Sequence, residues 1–279
     1  MPILRERAAQ DLYDPHTSRP GLVEAATDLV DRLFSGRFWH YQPIDLRYHD
    51  YQHTLQAAWV YLDFVKAARL AAPSDFPTPT SREAELGFAA ILLHDTGYLK
   101  ARGDDDGSGA KYTHCHVLRS CALAASILPS LGCDAAEIED VLGAIRCTGL
   151  SGNPATAIFR SENARFIASL VATSDYLGQM AAPEYPAKLP FLFTEFSEAD
   201  TYAGIPPERR QFSSAAQLLA ATSAFWTRFV RPKLDQDFAS VHRLLSMPVP
   251  SGTNPYFLAI ERNLAAIATP TDTAGTATN

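Results

Sequence analysis

The sequence predicts an all-α protein, and three observations carry that prediction. Apolar residues recur at helical spacing in nearly every periodic segment, no stretch alternates apolar and polar residues long enough for a strand, and caps and prolines punctuate the chain between stripes. After a polar arm, Leu22, Ala25, Ala26, Leu29, Val30, Leu33 and Phe34 trace the apolar face of a first helix. A second stripe passes through Leu55, Ala58, Trp59, Leu62 and Val65 and runs to about Ala72, where Pro73, Pro77 and Pro79 impose a loop. Thr80 and Glu83 form a capping box, so a third helix starts there, carries Leu86, Ala89, Ala90 and Leu93, and ends near Gly97. The run Gly103 to Gly109 reads as a flexible acidic loop, with Asp104, Asp105 and Asp106 solvated.

A fourth helix is expected from about Thr113 to Leu128, before Pro129. Asp134 caps a fifth, through Ile138, Val141, Leu142 and Ile145, and a sixth runs from about Asn163 to Met180. Pro183, Pro186, Pro190, Pro206 and Pro207 then make a proline-rich connection, beyond which Ala216 to Val230, Asp235 to Leu245 and Tyr256 to Ile267 again look helical. The expected organisation is one helical domain over residues 1–268, with its chemical core at 48–178, and a disordered tail over 269–279.

Composition narrows the function classes. The 279 residues are 47% hydrophobic and 20% charged, as in ordinary soluble globular proteins. With 24 Lys and Arg against 31 Asp and Glu, the net charge is −7, which leaves no basic field to hold extended nucleic acid or an anionic membrane. The longest apolar run, Leu86 to Leu93, falls short of the roughly 18 residues of a membrane span, and the first residues lack the apolar stretch of a signal peptide. A cytoplasmic location is the expectation. Cys115, Cys121, Cys133 and Cys147 show neither a CxxC pair nor zinc-site spacing and read as small buried residues on helices.

The chemical signal is a concentration of histidines. His49, His53, His94, His114 and His116 fall between residues 49 and 116, and His94 is followed at once by Asp95. His49 and His53 are four apart, which on a helix aims both imidazoles into one cavity. His94 and Asp95 sit where an apolar helix gives out, offering a neutral nitrogen and an anionic oxygen that suit a divalent cation. Asp175 lies within the otherwise apolar Ser169–Gly178 stretch, where a buried carboxylate wants a cation or a donor. His53, His94, Asp95 and Asp175 together make a two-histidine, two-carboxylate site. His16, His40 and His242 read as core or surface histidines; Lys111, Arg119 and Arg146 are candidates to bind phosphate, with solvation at the surface as their default reading.

Tyr48-His49-x-x-x-His53, Leu93-His94-Asp95-Thr96-Gly97-Tyr98, His116-x-x-x-Ser120-x-x-x-Ala124 and Asp175 resemble, in that order, the motifs of the HD-domain metal-dependent phosphohydrolase superfamily, which includes the cyclic-nucleotide phosphodiesterases. The resemblance spans about residues 48 to 178 and implies an HD-type helical bundle with additional C-terminal helices. It implies a divalent ion, of Mn, Fe, Zn, Mg or Ni type, on His53, His94, Asp95 and Asp175, and a proton-donor role for His49. Asp95 would bridge to a second ion, for which His116 is the expected ligand rather than His114, because residues two apart on a helix face nearly opposite sides and Ser120 and Ala124 continue the 116 stripe with small residues. Two departures stand out. Thr148 occupies the position where many members carry a further histidine in an Ile-x-x-His pattern, and Tyr98 stands where many carry a lysine, leaving Lys100 as the residue to reach a phosphate. The implied function is hydrolysis of a phosphoester in a nucleotide or small phosphorylated metabolite. The alternatives are a di-iron oxygenase on the same scaffold, or a regulatory module that binds metal or nucleotide without turnover.

Overall fold

The computed structural model describes residues 2–13, 21–70, 76–249 and 251–269. Among them the chain is all-helical, with no strand and only two isolated bridges, Tyr41 to Ala101 and Met247 to Thr253. The α-helices in chain order are α1 (Pro2–Leu12), α2 (Leu22–Phe34), α3 (Tyr51–Leu70), α4 (Ser81–Leu93), α5 (His116–Ile127), α6 (Ala135–Arg146), α7 (Glu162–Ala181), α8 (Tyr185–Tyr202), α9 (Ala215–Phe225), α10 (Arg231–Gln236) and α11 (Pro255–Ala268). No helix among the described residues is long and apolar enough to cross a membrane.

Helices α3, α4 and α7 form the centre. On α4 every residue from Ala84 to Leu93 is buried, and α7 is buried almost continuously from Ala164 to Gly178. Helices so apolar on all sides can sit only inside a bundle. They are ringed by α1, α2, α5, α6 and α11, and one contiguous set of buried apolar residues runs from Leu4 on α1 to Ile260 on α11. The α3–α7 crossing is close because Gly178 has no side chain; a Cβ there would stand 2.8 Å from the backbone N and Cα of Ala57. Both expected capping boxes are present, Thr80 with Glu83 on α4 and Asp134 with Glu137 on α6.

Several expectations need correction. The N-terminal arm is a helix, because Leu4, Ala8 and Leu12, spaced four apart, give α1 a narrow buried stripe. The proline-rich connection is largely α8. Pro186 falls in its first turn, where no N–H partner is lost, and Pro190 costs one internal bond, offset by burial of Tyr185, Leu189, Glu195 and Ala199. The fourth helix begins at His116 rather than Thr113, after a 3-10 turn over Gly109–Tyr112. The 216–230 segment ends in a π-helical turn, Trp226–Val230, and the helix expected to Leu245 breaks at Ala239 and Ser240, both in left-handed backbone conformations. The acidic loop is tied down: Asp104 accepts from Lys111 and Tyr112, Asp106 from Tyr202, and Glu198 from the Ser108 backbone and hydroxyl. Residues 71–75 of the proline loop, residues 270–279 of the expected disordered tail and His16 lie outside the described residues.

Candidate metal centre

Three central helices deliver the four residues that the sequence singles out. His53 lies in the first turn of α3, where the Asp50 carboxylate caps the helix by accepting from the His53 N–H at 2.9 Å. His94 is the C-cap of α4, and Asp95 leaves helical conformation at φ −105°, ψ 6° before a 3-10 turn over Thr96–Tyr98. Asp175 projects from the middle of α7. All four side chains are buried.

Their ligand atoms converge. His53 Nε2 lies 3.3 Å from Asp95 Oδ2 and 3.2 Å from Asp175 Oδ1; His94 Nε2 lies 3.3 Å and 3.5 Å from the same two oxygens. The His53, His94 and Asp95 ligand atoms lie within 4.8 Å of one another, and Asp175 joins the triad through the two imidazoles. Two atoms bound to one divalent ion at about 2.1 Å stand roughly 3.0–3.4 Å apart when they are neighbours on its surface. The contacts are too poorly directed for hydrogen bonds at several atoms. His94 Nε2 and Asp95 Oδ2 are buried without a hydrogen-bond partner, as a shared cation would require. His94 Nδ1 lies 2.7 Å from the Ile91 carbonyl, to which it must donate, so the Nε2 lone pair of the neutral ring faces the centre. The buried group therefore fits a metal ion.

Without an ion, the cluster holds protons instead. Burial alone pushes the His53 imidazole down, but the Asp175 and Asp95 carboxylates outweigh it and hold it at about 9. His94 is likewise held well above its ordinary range, against burial, by Asp95 and Asp175. Burial pushes the carboxylates up, yet the two imidazoles hold Asp95 well below its ordinary range and Asp175 at about 2. Metal uptake must expel the imidazole protons. Apparent affinity for a divalent ion is thus expected to climb by about tenfold per pH unit for each proton displaced, with the His53 proton no longer opposing uptake above about 9. The sign for stability follows from the raised imidazole: its contribution is complete below about 6.5, the ordinary histidine value, and is lost as pH rises through about 9. Chelated protein should then melt progressively lower as pH rises across that window. Titration calorimetry in two buffers of different ionisation enthalpy checks the first point; uptake without proton release would exclude it.

The remaining candidates arrange around this group. His49 precedes α3 rather than lying on it, and its ring still stands 5.9 Å from that of His53. Its Nδ1 donates to Glu195 Oε2 at 2.7 Å, and the same buried carboxylate accepts from the Arg47 and Tyr48 N–H groups. Glu195 comes from α8, so reading that segment as a connection hid it; the helical spacing of Tyr185, Leu189 and Ala199 was the available signal. Tyr98 stacks on both His49 and His116, with centroids 4.6 Å and 4.4 Å away, so one phenol ring carries two imidazoles.

His116 opens α5 and turns Nε2 to within 3.8 Å of Asp95 Oδ1, while its Nδ1 lies 2.7 Å from the Thr113 carbonyl. Burial lowers its imidazole pKa despite the Asp95 charge, so it stands ready as a neutral donor. His114, before the helix, is 53% exposed at its side chain and faces Asp200. Approach of α5 depends on small residues, as expected for Ser120 and Ala124, both fully buried, and also on Gly97. Lys100 is engaged elsewhere: its ammonium donates to the Gly107 carbonyl at 2.6 Å and pairs with Asp45 at 3.1 Å. Thr148 is buried with its hydroxyl on the Ile145 carbonyl. His242 is a buried neutral histidine, pushed down to about 4 by burial, and His40 is exposed.

A surface depression of about 770 Å³ lies between α2 and α5 and includes none of these residues apart from His40. A far smaller cleft, about 10 Å³, adjoins His53 and is lined by Tyr48, Gln56, Gln179, Ala182, Tyr185 and Lys188. It has room for about one water, so anything larger enters it only if its walls part. Compared with known protein families and with curated proteins, the chain matches none.

Proposed function

We propose that the protein is a metal-dependent phosphohydrolase of the HD-domain type, cleaving a phosphoester of a nucleotide or another small phosphorylated metabolite. One observation carries this reading: two buried imidazoles and two buried carboxylates converge at ligand spacing beside a separate imidazole–carboxylate pair, His49 with Glu195. His53, His94, Asp95 and Asp175 would hold the ion, and Asp95 Oδ1 with His116 Nε2 would hold a second. Such ions polarise a phosphoryl oxygen and acidify a water for in-line attack. The chain's own contribution is positioning and proton transfer. Glu195 fixes the His49 ring by accepting from its Nδ1–H, leaving Nε2 to serve the departing oxygen as the proton donor. Tyr98 sets the distance between that donor and His116.

The test is metal analysis of the purified protein together with a panel of phosphoesters, run on wild type and His49→Ala. The variant is expected to keep its metal and to lose about 10²–10⁴-fold in turnover of substrates with poor leaving groups. Nitrophenyl esters, whose leaving group needs little protonation, should lose far less. An equal loss for both classes would remove the acid role; iron with oxygen-dependent turnover, or ligand binding without turnover, would replace the reading itself.

A further inference from the structure

A phosphoester needs positive charge beyond the ions, because two carboxylates already offset much of the charge on the first. The cations nearest in sequence to the ligands are committed. Lys100 is held by Gly107 and Asp45, and Lys111 by Asp104 and the Asp106 carbonyl. Arg119 donates to the Gly97 and Leu99 carbonyls and lies over the Tyr112 ring; Arg47 lies over Phe191, 3.6 Å from the ring centroid. Pulling any of the first three away would strand buried or partly buried carbonyls.

Lys188 differs from all four. It projects from α8 into the lining of the cleft beside His53, and its ammonium contacts Asp50 Oδ2 at 2.7 Å. The two side chains are 18% and 27% exposed, so water reaches the pair at the rim of the cleft. Asp50 does not depend on Lys188, since its other oxygen caps α3 through the His53 N–H. The ammonium can therefore be released to an incoming anion without unfolding anything. Three links close the cleft wall, Lys188 on Asp50, Gln56 on Glu184 and the Tyr48 hydroxyl on Gln179, and the first of them is the one an anion can replace.

We propose that Lys188 is the anion-binding residue of the site, and that it exchanges Asp50 for the phosphoryl oxygens of the substrate as the cleft opens. The inference rests on the phosphohydrolase reading for its biological ligand, but its test does not require turnover. Inorganic phosphate is titrated into the Mn²⁺-loaded protein and into Lys188→Met, Lys188→Arg and Asp50→Asn variants loaded in the same way. Lys188→Met should weaken phosphate binding by about tenfold or more, the loss of one hydrogen bond to a charged group. Lys188→Arg should restore most of it. Asp50→Asn keeps a good helix cap but releases the ammonium, so it should tighten binding by about two- to fivefold. A mere surface ion pair predicts no change in any of them.

Unaltered affinity in Lys188→Met, or no phosphate binding by wild type, overturns the proposal. Phosphoester turnover by a protein whose phosphate affinity ignores Lys188 overturns this assignment alone. Phosphate binding that depends on Lys188, in a protein that hydrolyses no phosphoester, overturns the hydrolase reading and leaves the anion site in place. Should Lys188→Met fold poorly, the Asp50→Asn gain decides the matter, because no loss of structure produces tighter binding.

Discussion

Replacing Asp95 with alanine is expected to reduce bound divalent metal to background and to lower phosphoester hydrolysis by at least about 10³-fold, the largest functional effect among single substitutions in this chain. Asp95 faces His53 and His94 through Oδ2 and His116 through Oδ1, so one change would remove an oxygen from each of the two proposed ion positions. The fold should survive. Loss of the carboxylate removes part of what holds His53 and His94 protonated, and a buried neutral imidazole costs far less than a buried unpaired charge. Far-ultraviolet circular dichroism should therefore stay helical while metal content falls. Metal content equal to wild type would refute the ligand assignment.

The largest structural effect is expected at a residue with no side chain. A Cβ on Gly97 would stand 1.9 Å from the His116 carbonyl oxygen and 2.8 Å from the Ser120 nitrogen, and these obstacles are backbone that cannot rotate away. Gly97 also donates its N–H to Ser120 Oγ at 2.8 Å, and Ser120 in turn donates to the His94 carbonyl at 2.5 Å. Gly97→Ala must push the start of α5 outward, break this relay and carry His116 away from Asp95. Overpacking of this kind costs about 1–3 kcal/mol or more, and each kcal/mol lowers the melting temperature by roughly 2–4 °C in a protein of this size. Expected together are a drop of several degrees and a lost second-ion affinity, with the first ion retained. Calorimetric melting and metal titration of the variant would contradict this account if both matched wild type.

The sequence exposed the centre more readily than its surroundings, for physical reasons. His53, His94, Asp95 and Asp175 are legible because ionisable groups inside apolar helical stretches demand partners, and the partners turn out to be one another. Helices α2 to α7 are legible because their apolar stripes and caps agree with each other. Helix α8 is not, since Pro186 and Pro190 announce a break that tertiary burial overrides, and with it went Glu195 and Lys188. Lys100 looked available because its partners, Asp45 and the Gly107 carbonyl, come from loops whose paths no periodicity encodes. The segregation of His114 from His116 was expected from helical angles, yet the helix starts at His116 itself; the separation arises instead from the turn before it, which leaves His114 outside beside Asp200.

The four residues proposed to hold the first ion come from three stretches of chain that are remote in sequence, the start of α3, the end of α4 and the middle of α7. An ion held by them would close chain segments of about 40 and about 80 residues, removing conformational entropy that the unfolded polypeptide would otherwise regain. It would also act as a cofactor that binds only the folded form, adding stability that grows with the logarithm of free metal concentration. The ion would thus serve as a cross-link as well as a reagent. A cell short of that metal would then lose the protein by proteolysis along with its activity, so abundance itself would track metal supply.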